Sequence, residues 1–454
     1  MKRKLALFLV IVLTMMSMVA CGTSKDVGSS NQNNTSSTDD KKGKSSTTNN
    51  EDKKTLTVAW WGNQVRNDRT VAVFDLYTEK NPNVKFDGQF SEWADYWNKL
   101  AIASAGGSLP DIVQMDYKYL QQYTGNDLLV DLRPYIDSGV LNVSDIDDGI
   151  LKSGSVNDEV YAICLGVNAP ALLYNKTLLD EHGITVKDNM TMDEFIELSR
   201  EIYEKTGYKT NVSYNNGENF IEYYVRASGS VLFEEGKLGV DSADELVSFF
   251  KIYEQGLKEG WHIAPSVFAE ISPGSVEQAP LVYGASPETR SWCAFFYSNQ
   301  LAAAQKAAPE GMEIGVTTWP SPNPKASNYL KPSQFFSVTR DSKDPEEAAK
   351  VLDFFTNSVE ANEILLGERG IPAAAPVATA IAPKLNPTDI LVIDYINNVV
   401  SPNSSPINPP ASDRASAVLD LIDKLEERLC YDQITAEEAA KELFEQGNKI
   451  LSGQ

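Results

Sequence analysis

Histidine is almost absent: the 454 residues contain two, His182 and His262. They lie far apart, and neither has a carboxylate or cysteine partner at ligand spacing. Metal catalysis is therefore not expected, and no metal or other cofactor is assigned. The chain also lacks the Gly-x-Ser-x-Gly elbow of α/β serine hydrolases. It lacks the Gly-x-Gly-x-x-Gly turn after a first strand that a dinucleotide site needs. Cysteine is scarce. After Cys21 only Cys164, Cys293 and Cys430 remain, an odd number on apolar stretches, which reads as buried thiols rather than a disulfide framework. Positive charge is in deficit, with 40 basic against 63 acidic residues and a formal net charge of −23. Such a surface repels phosphate backbones and anionic lipid, so no nucleic-acid partner is expected.

What is present begins at the N-terminus. Met1-Lys2-Arg3-Lys4 is basic, Leu5 to Val12 is an almost unbroken apolar run, and small residues surround Cys21. That order reads as a secretory signal over 1–20. Its junction resembles the lipobox of bacterial lipoproteins, which implies an acylated Cys21 and an anchor to the outer face of the cell membrane. Residues 21–54 are rich in Ser, Thr, Asn, Lys and Asp and read as a disordered tether behind the lipidated cysteine. Loss of the leader removes three basic residues and leaves the mature chain at −26.

Ordered structure is expected from residue 55. Leu56, Val58 and Trp60 alternate as a strand. Asn67 or Asp68 can cap a helix with Val71, Phe74 and Tyr77 on one stripe, stopped at Asn81 by Pro82. Val84, Phe86 and Phe90 give a second strand, Trp93 to Leu100 a second helix, and Asp111 to Met115 a third strand. This alternation implies parallel pairing and an α/β layered lobe. Thr191 with Glu194, Ser242 with Glu245, and Thr435 with Glu438 read as capping boxes. Gly311 to Trp319 and Gln334 to Thr339 read as strands, with late strands returning to the first lobe.

Aromatic residues gather where these elements end. Trp60 and Trp61 leave the first strand; Trp93, Tyr96 and Trp97 follow the second; Tyr117 and Tyr119 follow the third. Trp261, Trp292 and Trp319 sit at later junctions. Ligands of open α/β sheets collect at the carboxyl ends of strands. A pyranose presents an apolar face that stacks on an indole or phenol, and an edge of hydroxyls that suits Asp, Asn, Arg and Gln. Asn63, Arg66, Glu92, Asp116 and Arg290 supply those groups beside Trp61, Trp93, Tyr117, Trp261, Trp292 and Trp319. The same rings also suit a core: alternation buries Trp60, and Trp93 and Trp97 share one helix stripe. A glycosidase carboxylate pair is the competing chemistry, and no specific pair stands out.

Five segments together resemble the sugar-binding lipoproteins of ABC importers, the family 1 solute-binding proteins. They are Trp60-Trp61-Gly62 with Arg66; Ala105 to Val113; Tyr161 to Leu165 followed by Leu173-Tyr174-Asn175-Lys176; Thr191 to Phe195; and Gly370-Ile371-Pro372. Cys164 and Met192 stand where the family usually has Pro and Trp, changes that touch packing. The resemblance implies a two-lobed periplasmic-binding-protein-like α/β fold, each lobe a mainly parallel sheet flanked by helices. Lobe 1 is expected from 55–167 plus 313–350, and lobe 2 from 168–312 plus 351–454. Hinge crossings are expected near Gly166 to Leu172 and Gly311 to Trp319, with Asn168 facing the cleft. The implied protein is a monomer and not an enzyme. It would capture an oligosaccharide between its lobes and deliver it to the transmembrane subunits of an ABC permease. A surface lipoprotein glycoside hydrolase and a polysaccharide-capture adhesin are the alternatives.

Overall fold

Leu56, Val58 and Trp60 do alternate inward, and all three are fully buried in strand β1 (Lys54–Trp61). The computed structural model describes residues 53–453 except 63, 213–216, 272–274 and 412–413. The leader, Cys21 and the tether assigned above lie outside the described residues, as does Asn63. Helix α1 (Gln64–Lys80) buries Thr70, Val73, Phe74 and Tyr77 along one stripe. Its expected cap is different: Asn67 lies inside the helix, where its buried Oδ1 accepts a hydrogen bond from Trp60 Nε1 at 2.9 Å. Strand β2 (Val84–Ser91) pairs in parallel with β1 along its length. Helix α2 (Trp93–Ala105) leads to β3 (Ile112–Met115), which pairs in parallel on the other side of β1, and helix α3 (Tyr117–Gly125) follows.

Strands β4 (Ile163–Asn168) and β5 (Pro170–Asn175) are separated only by Ala169, yet they belong to different sheets. Helices α4 (Met192–Thr206), α5 (Gly217–Val225) and α6 (Asp244–Glu259) precede strands β6 (Cys293–Tyr297) and β7 (Ile314–Thr317). The chain then forms β8 (Lys331–Val338), α7 (Pro345–Asn357), α8 (Val359–Leu365) and β9 (Ile371–Pro372). Helices α9 (Ala415–Cys430) and α10 (Ala436–Ser452) close it. The first sheet runs β9-β4-β8-β3-β1-β2, and the second runs β6-β5-β7.

Two sheets with two cores give the expected two-lobed α/β form, with differences in detail. Among the strands named here, only β1, β2 and β3 pair in parallel. Strand β8 lies antiparallel between β3 and β4, β9 is antiparallel to β4, and the second sheet is antiparallel throughout. Strand β7 pairs with β5, so the segment 314–317 expected at a hinge lies in the second sheet, and the chain re-enters the first sheet at Lys331. Strand β9, from the stretch given above to lobe 2, edges the first sheet.

The second core is aromatic: Phe195, Phe220, Phe249, Trp292, Phe295 and Trp319 are all buried among α4, α5, α6, α9 and α10. The sheet between them alternates as strand geometry requires, with Leu172 and Phe295 facing this core and Ala171, Leu173 and Phe296 facing the other. The capping boxes at Thr191 and Thr435 are complete. At Ser242 only half forms: Glu245 reaches back to the backbone of Asp241 and Ser242 while Ala243 takes the cap position. Cys164, Cys293 and Cys430 are buried and unpaired. Among the described residues no helix is long and apolar enough to cross a membrane.

Candidate ligand-binding site

A cleft of about 920 Å³ opens at the carboxyl ends of β1 and β3. Trp61 ends β1, and Asp116 and Tyr117 follow β3. Asn168 and Lys331 to Gln334 line the floor from the β4–β8 ladder, and Gly367 to Gly370 close one side. Across from these stand Tyr297, Asn299 and Gln300 after β6, and Ile407, Pro410 and the start of α9. Two rows of strand ends thus face one space, the place where α/β sheets collect ligands.

Trp61 and Trp93 form the aromatic wall. Their rings meet edge to face at 4.9 Å between centroids, and Trp97 braces both at 5.6 and 5.4 Å. Tyr119 packs at a tilt against Trp97, 4.1 Å between centroids, so Trp97 is the packing ring of the α2 stripe while Trp93 stays 42% exposed. Tyr96, fully buried, donates to the Gln114 carbonyl at 2.6 Å and ties α2 to β3.

The polar groups are held in place. Arg66 donates through Nε to both carboxylate oxygens of Glu368, at 2.9 and 3.0 Å, and through Nη1 to the Trp61 carbonyl at 3.2 Å. Behind it, buried Arg369 donates to Gln114 Oε1, Gln334 Oε1 and Thr70 Oγ1 at 2.6, 3.0 and 2.7 Å. Burial, aided by the like charge of Arg66, brings the Arg369 guanidinium down to about 9. Asp116 caps α3 by accepting from Lys118 N at 2.9 Å. Tyr117 donates to the Asn408 carbonyl at 3.0 Å, and burial with the Glu222 charge pushes its phenol up to about 12.

Buried Arg226 fixes the far wall. It donates to the carbonyls of Ser327 and Pro406 at 2.9 Å each, to Ser405 Oγ at 2.6 Å, and to Asn408 Oδ1. Asn408 in turn donates to Glu222 at 3.0 Å. Lys331 Nζ lies over the Tyr297 ring, 4.1 Å from its centroid, and burial lowers its pKa.

Six of the twelve residues proposed from sequence line this cleft: Trp61, Arg66, Trp93, Asp116, Tyr117 and Asn168. Asn63 is outside the described residues. Glu92 precedes α2, exposed and outside the lining. Three tryptophans are placed in the second core instead. Trp261 Nε1 donates to Glu259 at 2.7 Å, Trp292 Nε1 donates to Thr210 at 2.8 Å, and Trp319 packs edge-on to Tyr223 at 5.2 Å. They end elements just as Trp61 does, but in a lobe whose interior is built of rings. Arg290 lies in a separate groove and donates to the Val282 carbonyl at 3.0 Å. Sequence reasoning missed Tyr297, Asn299, Gln300, Lys331 and Glu368. Tyr297 and Lys331 begin or end strands, a signal of the kind that found Trp61.

A profile of the family described as "Bacterial extracellular solute-binding protein" matches residues 72–388. The lactose-binding protein of Rhizobium radiobacter is 30% identical over 176 residues, 37% of this chain and 40% of that protein. The arabinooligosaccharide-binding protein of Halalkalibacterium halodurans is 22% identical over 187 residues, 41% of this chain and 40% of that protein. The alignment thus spans about two-fifths of the length of these relatives. Among solved structures, a family 1 extracellular solute-binding protein from Alicyclobacillus acidocaldarius superposes with a TM-score of 0.80 at 23% identity, covering 88% of this chain and 99% of that one. With the family profile spanning most of the described chain over this two-lobed fold, the protein belongs to the bacterial extracellular solute-binding proteins.

Proposed function

We propose that the protein is the receptor of an ABC importer and holds a carbohydrate, an oligosaccharide, in the cleft between its lobes. The observation that carries this reading is the wall of Trp61 and Trp93 beside Asp116 and Asn168, with Asn299 and Gln300 across one 920 Å³ space. Indoles stack on the apolar faces of pyranoses, and carboxylate and amide groups bind the hydroxyl edge. A cleft of this size has room for more than one sugar ring. The sugar-binding names of the relatives agree with it.

The mechanism is binding without bond cleavage. Glu368, one of the lining carboxylates, is already engaged by Arg66, and Asp116 caps a helix. Ligand shifts an open–closed equilibrium, and the closed form is what a permease would recognise. We divide the lobes at the sheets: 54–168 with 331–373 in the first, and 170–327 with 415–452 in the second. The crossings then fall at Ala169, at 328–330 and at 374–414. Cys21, acylated, and the tether behind it would keep the receptor near its permease, and the receptor would act as a monomer.

A thermal-shift screen against an oligosaccharide panel tests this reading, since a ligand at 100 times its Kd adds about 2.7 kcal/mol of stability. Small-angle scattering should then show contraction on binding. Chain shortening with turnover during incubation would replace the receptor with a hydrolase.

A further inference from the structure

The whole chain is strongly acidic, at −23, but its cleft is not. Among the described lining residues, the cations Arg66, Lys118, Lys331 and Arg369 outnumber the anions Asp116 and Glu368. Two of these cations are already satisfied. Arg66 has Glu368, and Arg369 is held by Gln114, Gln334 and Thr70. Lys331 is different: it is half-buried at the first residue of β8, opposite Asn168 in the ladder, and it has no carboxylate within 4.0 Å among the described residues. Its ammonium rests on the Tyr297 ring, 4.1 Å from the centroid.

We propose that the bound glycan carries carboxylates, as uronic-acid oligosaccharides do, and that Lys331 pairs with one of them while Tyr297 stacks beside it. This rests on the carbohydrate reading above and narrows it.

Three features of the surroundings support the inference. A partly desolvated ammonium with only a ring for company gains strongly from an arriving carboxylate, because the pair forms a charge-assisted hydrogen bond in a medium of reduced dielectric. The two carboxyls that face Lys331 do not take that role: Asp116 is turned to the α3 backbone, and Glu222 is buried against Asn408. Burial pushes the Glu222 carboxyl up, so its charge is disfavoured rather than reinforced. Lastly, Ala415 and Ser416 line the cleft in the first turn of the sixteen-residue helix α9, which has no acidic residue there, so the positive end of that helix also faces the ligand. An acidic exterior would slow the approach of such a ligand at low salt; specificity is set inside the cleft.

Calorimetry decides the question with two matched panels. The acidic panel is tri-galacturonate, tri-mannuronate and a glucuronate-bearing xylotriose; the neutral panel is galactotriose, mannotriose and xylotriose. At least one acidic member should bind about tenfold or more tighter than its neutral counterpart at low salt, and the gap should narrow at ~0.5 M salt. Lys331→Met should cut the preference for that acidic ligand over its neutral counterpart by about tenfold, while Lys331→Arg keeps the preference. The melting midpoints of the apo variants verify that both fold. Equal or tighter binding of the neutral counterparts, or an acidic preference unmoved in Lys331→Met, overturns the inference and leaves the carbohydrate reading standing. Binding by no member of either panel, nor by other glycans in the thermal screen, overturns the carbohydrate reading itself.

Discussion

Trp93 and Trp319 are both tryptophans at element boundaries, and their replacement by alanine should fail in opposite ways. Trp93 keeps 42% of its surface exposed in the cleft wall. A tryptophan has about 250 Å² to bury, so about 100 Å² of Trp93 is still open to a ligand. A pyranose covering half of that, and burying a similar area of its own, removes about 100 Å² from water, worth about 2.5 kcal/mol at ~25 cal/mol per Å². Desolvation of sugar hydroxyls subtracts from this, so Trp93→Ala should weaken binding by about 1–2.5 kcal/mol, or roughly five- to seventyfold. Its edge contacts with Trp61 and Trp97 add a smaller stability loss, about 1–2 kcal/mol. Trp319 is 0% exposed among Phe220, Tyr223, Phe295 and Tyr297. Trp319→Ala should cost about 3–5 kcal/mol of stability through the cavity it leaves. Calorimetric Kd values and urea melts on the two variants separate these effects. Affinity within twofold of native for Trp93→Ala, or a Trp319→Ala protein that melts like native but binds weakly, would refute the partition of rings between cleft and core.

Three further outcomes follow from named contacts. His262 is fully enclosed, its Nε2 accepting from Val212 N at 3.2 Å, and burial lowers its pKa from 6.5 to about 4. The unfolded chain therefore takes up a proton near pH 6.5 that the folded chain refuses until about pH 4. Stability is full above 6.5 and falls as the pH drops, and His262→Gln should flatten the urea-melt difference between pH 7 and 5 by about 2 kcal/mol. Glu368→Gln leaves Arg66 without its carboxylate beside Arg369, and should cost about 1–3 kcal/mol in urea denaturation; an unchanged midpoint would mean that the pair is mere surface chemistry. Gly166 lets β4 and the 369–370 backbone touch, since a Cβ there would sit 2.3 Å from the Arg369 carbonyl oxygen. Gly166→Ala should cost more than ~2 kcal/mol and lower ligand affinity as well, because the displaced loop lines the cleft; native-like values in both measurements would contradict this.

Local signals were the legible ones. Alternation found β1, a short apolar run found β3, the Thr-x-x-Glu pairs at 191 and 435 found helix starts, and strand-end aromatics found Trp61, Trp93 and Tyr117. What stayed hidden depends on partners distant in sequence. Nothing near Lys331 states that β8 inserts antiparallel between β3 and β4, so neither its place on the cleft floor nor the mixed sheet could be read. Asn67 has the composition of a cap but serves Trp60, and Trp292 has the position of a ligand contact but serves Thr210. In both cases a side-chain hydrogen bond made by the fold overrides the local preference.

The insertion of β8 also sets a clock on biosynthesis. Strands β3 and β4 do not pair with each other; each waits for a strand that ends at residue 338. At ribosomal speeds of about 5–20 residues per second, β3 emerges roughly 10–45 seconds before its neighbour exists. Until then β3 and β4 each lack the neighbour that covers one edge in the finished sheet. Completion of the first sheet therefore waits on β8, and the core around β3 and β4 cannot close until residue 338 has been made.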